Sequence, residues 1–317
     1  MKYPIKTQLH KLQLVFHPVS NQEAEWYKKA YDVQEIIKNN SNLYMIVQHK
    51  NLKFVFKEYP LDSLVKANLT GTVSNGDLHS SFEIDLVKLT NYFEAEIELA
   101  LGEKIIKIIK VEDDSIIEWF TPEKLAYYKS RGYQYIIGLE EYRQILTFKL
   151  HYIGLSNKND SFTRLVSNPH SARIEILSNE DPMGYGARVT DEMFLLFFRI
   201  PSTEIKVYTW NQTDELLDNL ESLTGTKKEI IADAEKAFIH ILRPKYNNMK
   251  YSSYPESQDG LFTYELNGYM FFIGESLILQ TDNEVISGNY TEYEYDPQKI
   301  ADYIIIKDNQ VLFKKSN

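Results

Sequence analysis

Thr226-Lys227-Lys228-Glu229 opens the segment that most narrows what this chain can fold into. A threonine followed three residues later by a glutamate is a capping box, in which each side chain satisfies the other's backbone N–H, so a helix begins here. Along it Ile230, Ala234, Ala237 and Ile241 recur on one stripe and Ile231, Glu235, Phe238 and Leu242 on the adjoining one, until Pro244 stops it. So wide an apolar face has to be covered. The apolar runs available to cover it are strand-like: Tyr135 to Ile137, Ile145 to Ile153, and the nearly unbroken Phe194 to Ile200, which reads as a central strand. The expectation is an α+β fold built on a small mixed or antiparallel sheet flanked by helices.

Around that core, residues 132–255, the chain divides into an N-terminal α+β domain, residues 1–131, and a C-terminal β-rich extension, residues 256–317. In the first, Leu12 to Phe16 is a strand and Asn21 caps a helix through Trp26, Ala30, Val33 and Ile36. Glu94 to Val111 reads as a hairpin around Gly102-Glu103, and Thr121-Pro122 opens a helix that Gly132 closes. In the extension, Asn267-Gly268 signals a hairpin between Phe262 to Leu266 and Tyr269 to Ile273. Glu215 to Leu223 and the stretch from Asp296-Pro297 read as short helices. Tyr290, Tyr293 and Tyr295 lie in an acidic stretch and suit a protein interface better than a stacking platform for bases.

Composition excludes several classes. With no cysteine there is no disulfide, thiolate metal site or cysteine nucleophile, which fits a reducing compartment. No basic then apolar leader opens the chain and no uncharged apolar run reaches membrane-spanning length, so a cytoplasmic protein without a membrane partner is expected. The net charge of −10 opposes a general electrostatic grip on nucleic acid. Its distribution is uneven, however. Residues 132–255 hold 14 Lys and Arg against 16 Asp and Glu, and all seven arginines fall between Arg131 and Arg243. Arginine is the residue phosphate recognition prefers. His10, His17, His49 and His79 share no metal-ligand spacing, and Asp113-Asp114 reads as a solvated turn.

Chemistry concentrates in His151-Tyr152-Ile153-Gly154, Arg164, His170 and the run from Glu235 to Asn247. A tyrosine at the end of an apolar strand, with a glycine that permits close approach, can hold or exchange a proton beside a phosphate. Arg164 offers a planar fork suited to phosphate oxygens. Glu235, a carboxylate among residues expected to be covered, needs a partner, either a hard divalent cation or a buried arginine or tyrosine. Lys228, Lys236, His240 and Arg243 lie toward the exposed side of the helix.

These residues resemble the GIY-YIG endonuclease superfamily. Its second strand ends in Tyr-Ile-Gly, a helix with an arginine and often a histidine follows, and a later helix runs from near a metal-binding glutamate to an asparagine. Tyr152-Ile153-Gly154, Arg164, His170 and Glu235 to Asn247 carry the resemblance. The first Gly-Ile-Tyr is degenerate, with Gly138-Leu139-Glu140-Glu141-Tyr142 its nearest candidate, and residues 178–225 are an elaboration. The resemblance implies an endonuclease using Mg²⁺ or Mn²⁺ to hydrolyse phosphodiester bonds of DNA, or of RNA, in a restriction or phage-defence setting. Tyr142 and Tyr152 would handle protons near the attacking water, Arg164 would bind the phosphate, His170 would assist and Glu235 would hold the metal. Gly154, Arg173, Lys236 and Asn247 would contact substrate. The outer domains would serve regulation or recruitment, through a protein partner or a homo-oligomer. The rival expectation is an inactive nuclease-fold subunit that works as a protein-interaction module.

Overall fold

The computed structural model describes residues 5–56, 68–90, 96–156, 160–168, 170–207, 223–264, 266–290 and 301–316. The fold is mixed α+β, as the patterning predicts. Its compact units are not cut at 131 and 255, however. One unit combines Met1–Gln48, Phe148–Glu180 and Met193–Asn317; the other combines His49–Thr147 and Asp181–Glu192. The expected linear division gives way because strands far apart in sequence pair with one another.

The first unit is built on one large sheet. From one side it runs Val285–Ser287, Ile278–Gln280, Thr147–Leu155, Leu43–Gln48, Met193–Arg199, Ile5–Leu14, Gly268–Ile273, Tyr303–Lys307 and Gln310–Lys314. Leu43–Gln48 is buried at every position and Met193–Arg199 at all but its last, the signature of strands covered on both faces. The helix Lys227–Leu242 begins at the reciprocal Thr226–Glu229 capping box and ends where Arg243 turns left-handed, at φ 49, just before Pro244.

Two local expectations are corrected. Ser20, not Asn21, caps the first helix through a box with Glu23, and the helix breaks into Asn21–Tyr27 and Tyr31–Asn40. Asn267-Gly268 does not turn a hairpin: Phe262 lies in a 3₁₀ turn, and Gly268–Ile273 runs parallel to Ile5–Leu14. Asn267 instead starts that parallel pairing, its Oδ1 accepting the Lys6 N–H at 2.8 Å while its own N–H donates to the Lys6 carbonyl at 2.9 Å.

In the second unit Ile136–Gly138, His79–Asp85, Asn68–Ser74 and Lys53–Val55 form one sheet, and Ile97–Leu101, Ile106–Lys110 and Ile116–Phe120 another. The expected hairpin around Gly102-Glu103 and the Thr121-capped helix Pro122–Ser130, followed by Gly132 at φ 77, are both present. The helices expected from Glu215 and from Asp296-Pro297, and Tyr293 and Tyr295, fall outside the described residues apart from Leu223 and the last few positions after Ile300. Among the described residues no helix is long and apolar enough to cross a membrane.

Candidate active site

Tyr152 and Gly154 stand on the Thr147–Leu155 strand, whose antiparallel neighbour Leu43–Gln48 sets Tyr44 across from Gly154. The ladder slips between Leu150 and Tyr152, a bulge centred on His151. A one-residue slip moves every later side chain to the other face, so Tyr152 leaves the face that carries Phe148 and Leu150. His151 stays fully buried, with Nε2 2.9 Å from Gln48 Oε1. At Gly154 a Cβ would lie 2.7 Å from the Tyr44 hydroxyl, so the missing side chain makes room for Tyr44. The expectation that Gly154 leaves room for substrate is corrected accordingly.

After the strand, Asp160 accepts from the Thr163 N–H at 2.6 Å and from its hydroxyl at 2.8 Å, fixing the start of a single π-helical turn, Thr163–Ser167. Leu165 and Val166 enter the core from this turn while Arg164 stays exposed. His170 then caps the helix Ser171–Asn179, its Nδ1 accepting the Arg173 N–H at 3.3 Å. With Nδ1 an acceptor, the ring proton sits on Nε2 and donates to the Tyr44 hydroxyl oxygen at 2.9 Å. Burial, then the charges of Arg164 and Arg173, hold His170 down to about 4, neutral at pH 7. Tyr44 also hydrogen-bonds Tyr152, and the rings of Tyr44, Tyr152 and His170 lie within 5.5–6.3 Å of one another. A directed chain results: His170 gives to Tyr44, Tyr44 gives to Tyr152, and the Tyr152 proton is left for whatever occupies the site. Burial raises both tyrosines, and Arg164 works against that at each.

Glu235 reaches the same place from its helix. The N–H of Leu155, the residue after Gly154, donates to its carboxylate, and its charge is felt by Tyr44, Tyr152 and Tyr251. Burial pushes Glu235 up to about 7; Arg164, Lys236 and the Leu155 bond only partly offset it. Tyr152, Arg164, His170 and Glu235, drawn from three separate stretches of sequence, thus share one electrostatic environment. Among the described residues no three His, Asp or Glu side chains cluster as a ligand set. A half-buried carboxylate short of donors nevertheless suits Mg²⁺ or Mn²⁺, since Mg²⁺ commonly binds one or two carboxylates and completes its shell with water and substrate phosphate.

Four predicted residues are placed otherwise. Tyr142 lies on the short helix Tyr142–Ile145 of the other unit and is no member of this cluster. Arg173 is committed internally: Nε and one terminal nitrogen donate to Asn21 Oδ1 at 3.1 and 2.6 Å, and the other terminal nitrogen to the Leu165 carbonyl at 3.0 Å. Lys236 is buried rather than exposed, and pairs with Asp259. Asn247 gives its amide to the backbone: Oδ1 accepts from Ile153 N–H at 2.9 Å and Nδ2 donates to Ile153 C=O at 2.7 Å. It braces the tyrosine strand as a neighbouring strand would.

Tyr44 is the residue the sequence reading missed. It takes the place assigned to Tyr142, at the end of Ser41-Asn42-Leu43-Tyr44, which only loosely echoes Gly-Ile-Tyr. The usable signal was the uninterrupted apolar run Leu43 to Val47, a strand buried on both faces that carries one hydroxyl. Comparison with family models, with curated proteins and with solved structures finds no match for this chain.

Proposed function

We propose that this protein hydrolyses phosphodiester bonds of nucleic acid, DNA in the first instance, with a divalent cation at Glu235. The observation that carries this reading is the convergence of Tyr44, Tyr152, Arg164, His170 and Glu235 at the end of the Tyr-Ile-Gly strand. Arg164 is exposed and supplies a fixed positive charge for a phosphate whose negative charge shifts during displacement. Tyr152, oriented by Tyr44 and His170, holds its proton where an attacking water would lie. The cation, when bound, polarises the phosphate and steadies the leaving oxygen. A role in restriction or phage defence in the cytoplasm accords with this chemistry.

The reading is tested with Glu235→Gln, which keeps the side-chain volume and removes the charge a hard cation requires. Linear, nicked and single-stranded DNA and RNA are incubated with Mg²⁺, Mn²⁺ or chelator. The expected result is metal-dependent cleavage by the parent and its loss, on the order of 10²-fold or more, in the variant. A variant that cuts like the parent sinks the assignment.

A second reading, an inactive subunit that binds protein, draws on the net charge of −10 and on the internal commitment of Arg173 and Lys236. A parent that cuts no nucleic-acid form favours it.

A further inference from the structure

Beyond the Glu235 helix the chain reaches Tyr251, whose φ of 46 places a residue with a side chain in the left-handed region. Such a conformation costs on the order of 1 kcal/mol or more and persists only where its surroundings hold it. Here the Tyr251 carbonyl is held twice, by His240 Nδ1–H at 2.8 Å and by the Tyr254 N–H at 3.0 Å. His240 is in turn packed against Tyr254, ring centroids 5.8 Å apart. The strained backbone directs the side chain toward the site: Tyr251 is half-buried and lies within the fields of Glu235, Asp259 and Tyr152. None of the packing around it requires a hydroxyl; a phenyl ring would fill the same space.

We propose that Tyr251 is a further catalytic residue, the general acid that gives its phenolic proton to the leaving oxygen of the scissile phosphodiester. The assignment rests on the nuclease reading above. The His170–Tyr44 chain serves Tyr152 and so marks the side from which water attacks. Tyr251 faces Glu235, the carboxylate assigned to the leaving-group side. In the step, the water oxygen bonds to phosphorus, the bond from phosphorus to the leaving sugar oxygen breaks, and the Tyr251 proton passes to that oxygen. The phenolate regains a proton from solvent, leaving a phosphomonoester and a free hydroxyl. Burial, then Glu235, push Tyr251 up to about 12, so its proton is retained at neutral pH and released only to a strong base such as an alkoxide.

The experiment compares Tyr251→Phe with the parent in single-turnover cleavage of an oligonucleotide the parent cuts. The scissile leaving atom is oxygen in one substrate and sulfur in the other, because a thiolate departs without a proton. The expected result is a loss on the order of 10²-fold with oxygen, parental rates with sulfur, and matching thermal melts. Equal rates on the oxygen substrate, or the same loss on both substrates, overturn the assignment while leaving the nuclease reading in place. A parent that cuts no nucleic acid overturns the nuclease reading and takes this assignment with it.

Discussion

Two carboxylates of the same unit, each beside the Tyr152 strand, are treated in opposite ways. Glu180, at the end of the His170 helix, accepts from Lys149 at 2.9 Å, Lys245 at 2.6 Å and the Tyr246 hydroxyl at 2.8 Å. Burial opposes its charge, but these donors outweigh it and bring Glu180 down to about 2. Glu235 receives one backbone N–H and stands at about 7, burial dominating. Both are acids among apolar neighbours, so burial alone does not separate a structural carboxylate from a functional one. The number of donors does. A fold that satisfies Glu180 so fully and leaves Glu235 wanting keeps the second group available for a ligand with positive charge.

The comparison can be broken at several points. The largest expected effect is Arg164→Ala. The side chain is exposed, so melting should stay parental, while cleavage falls on the order of 10²-fold or more; cleavage kinetics beside a thermal melt check it, and a parental rate removes Arg164 from the site. Next comes Asn247→Ala, which strands the buried N–H and C=O of Ile153 and should cost roughly 2 kcal/mol in urea denaturation. A neutral result there means the strand needs no brace. Glu180→Gln should lower stability by about 1 kcal/mol, a figure reduced because Lys245 is solvent-exposed, and should leave cleavage unchanged. Lost cleavage at unchanged stability would erase the distinction between the two acids.

The smallest effect is a pH dependence. Glu235 is raised from 4.5 to about 7, so between those values the folded chain binds the proton more tightly than the unfolded chain. Parental stability from this group therefore falls as pH rises from 4.5 to 7 and is flat above. Glu235→Gln lacks the effect. Melts in chelator should show the variant gaining on the parent across that window and holding its lead at pH 8. A difference that does not change with pH places Glu235 in an ordinary solvated setting.

Much of this was legible because it was local. The helix of Glu235 followed from Thr226, Glu229 and the apolar stripes, and the Arg164 and His170 segment from the polar loop and the break at Pro169. What was missed depends on contacts distant in sequence. Tyr44 could not be paired with Gly154 from spacing, since residues 49–147 intervene, and the search settled on the nearby Tyr142 instead. Lys236 was placed outside by helical phase, but Asp259, from a later loop, covers it. Asn267-Gly268 carried a sound turn signal that a parallel partner at the other end of the chain overrode. The bulge at His151 left no composition mark, yet it decides which face Tyr152 occupies.

The interruption between the two tyrosine strands also bears on how the molecule is made. Leu43–Gln48 is apolar and fully covered in the finished sheet, yet on synthesis it appears before both of its neighbours, Thr147–Leu155 and Met193–Arg199. Until they arrive its edges are exposed to other chains. Closing an unstructured loop over residues 49–147 would delay the pairing entropically. If those residues fold first, they bring Gln48 and Lys149, which are partners in the ladder, within reach and shorten the vulnerable interval. Destabilising the inserted unit, for example with Phe120→Ala in its core, should then slow refolding of the tyrosine sheet and raise aggregation during refolding. Refolding at the parental rate would mean that the sheet nucleates without the inserted residues.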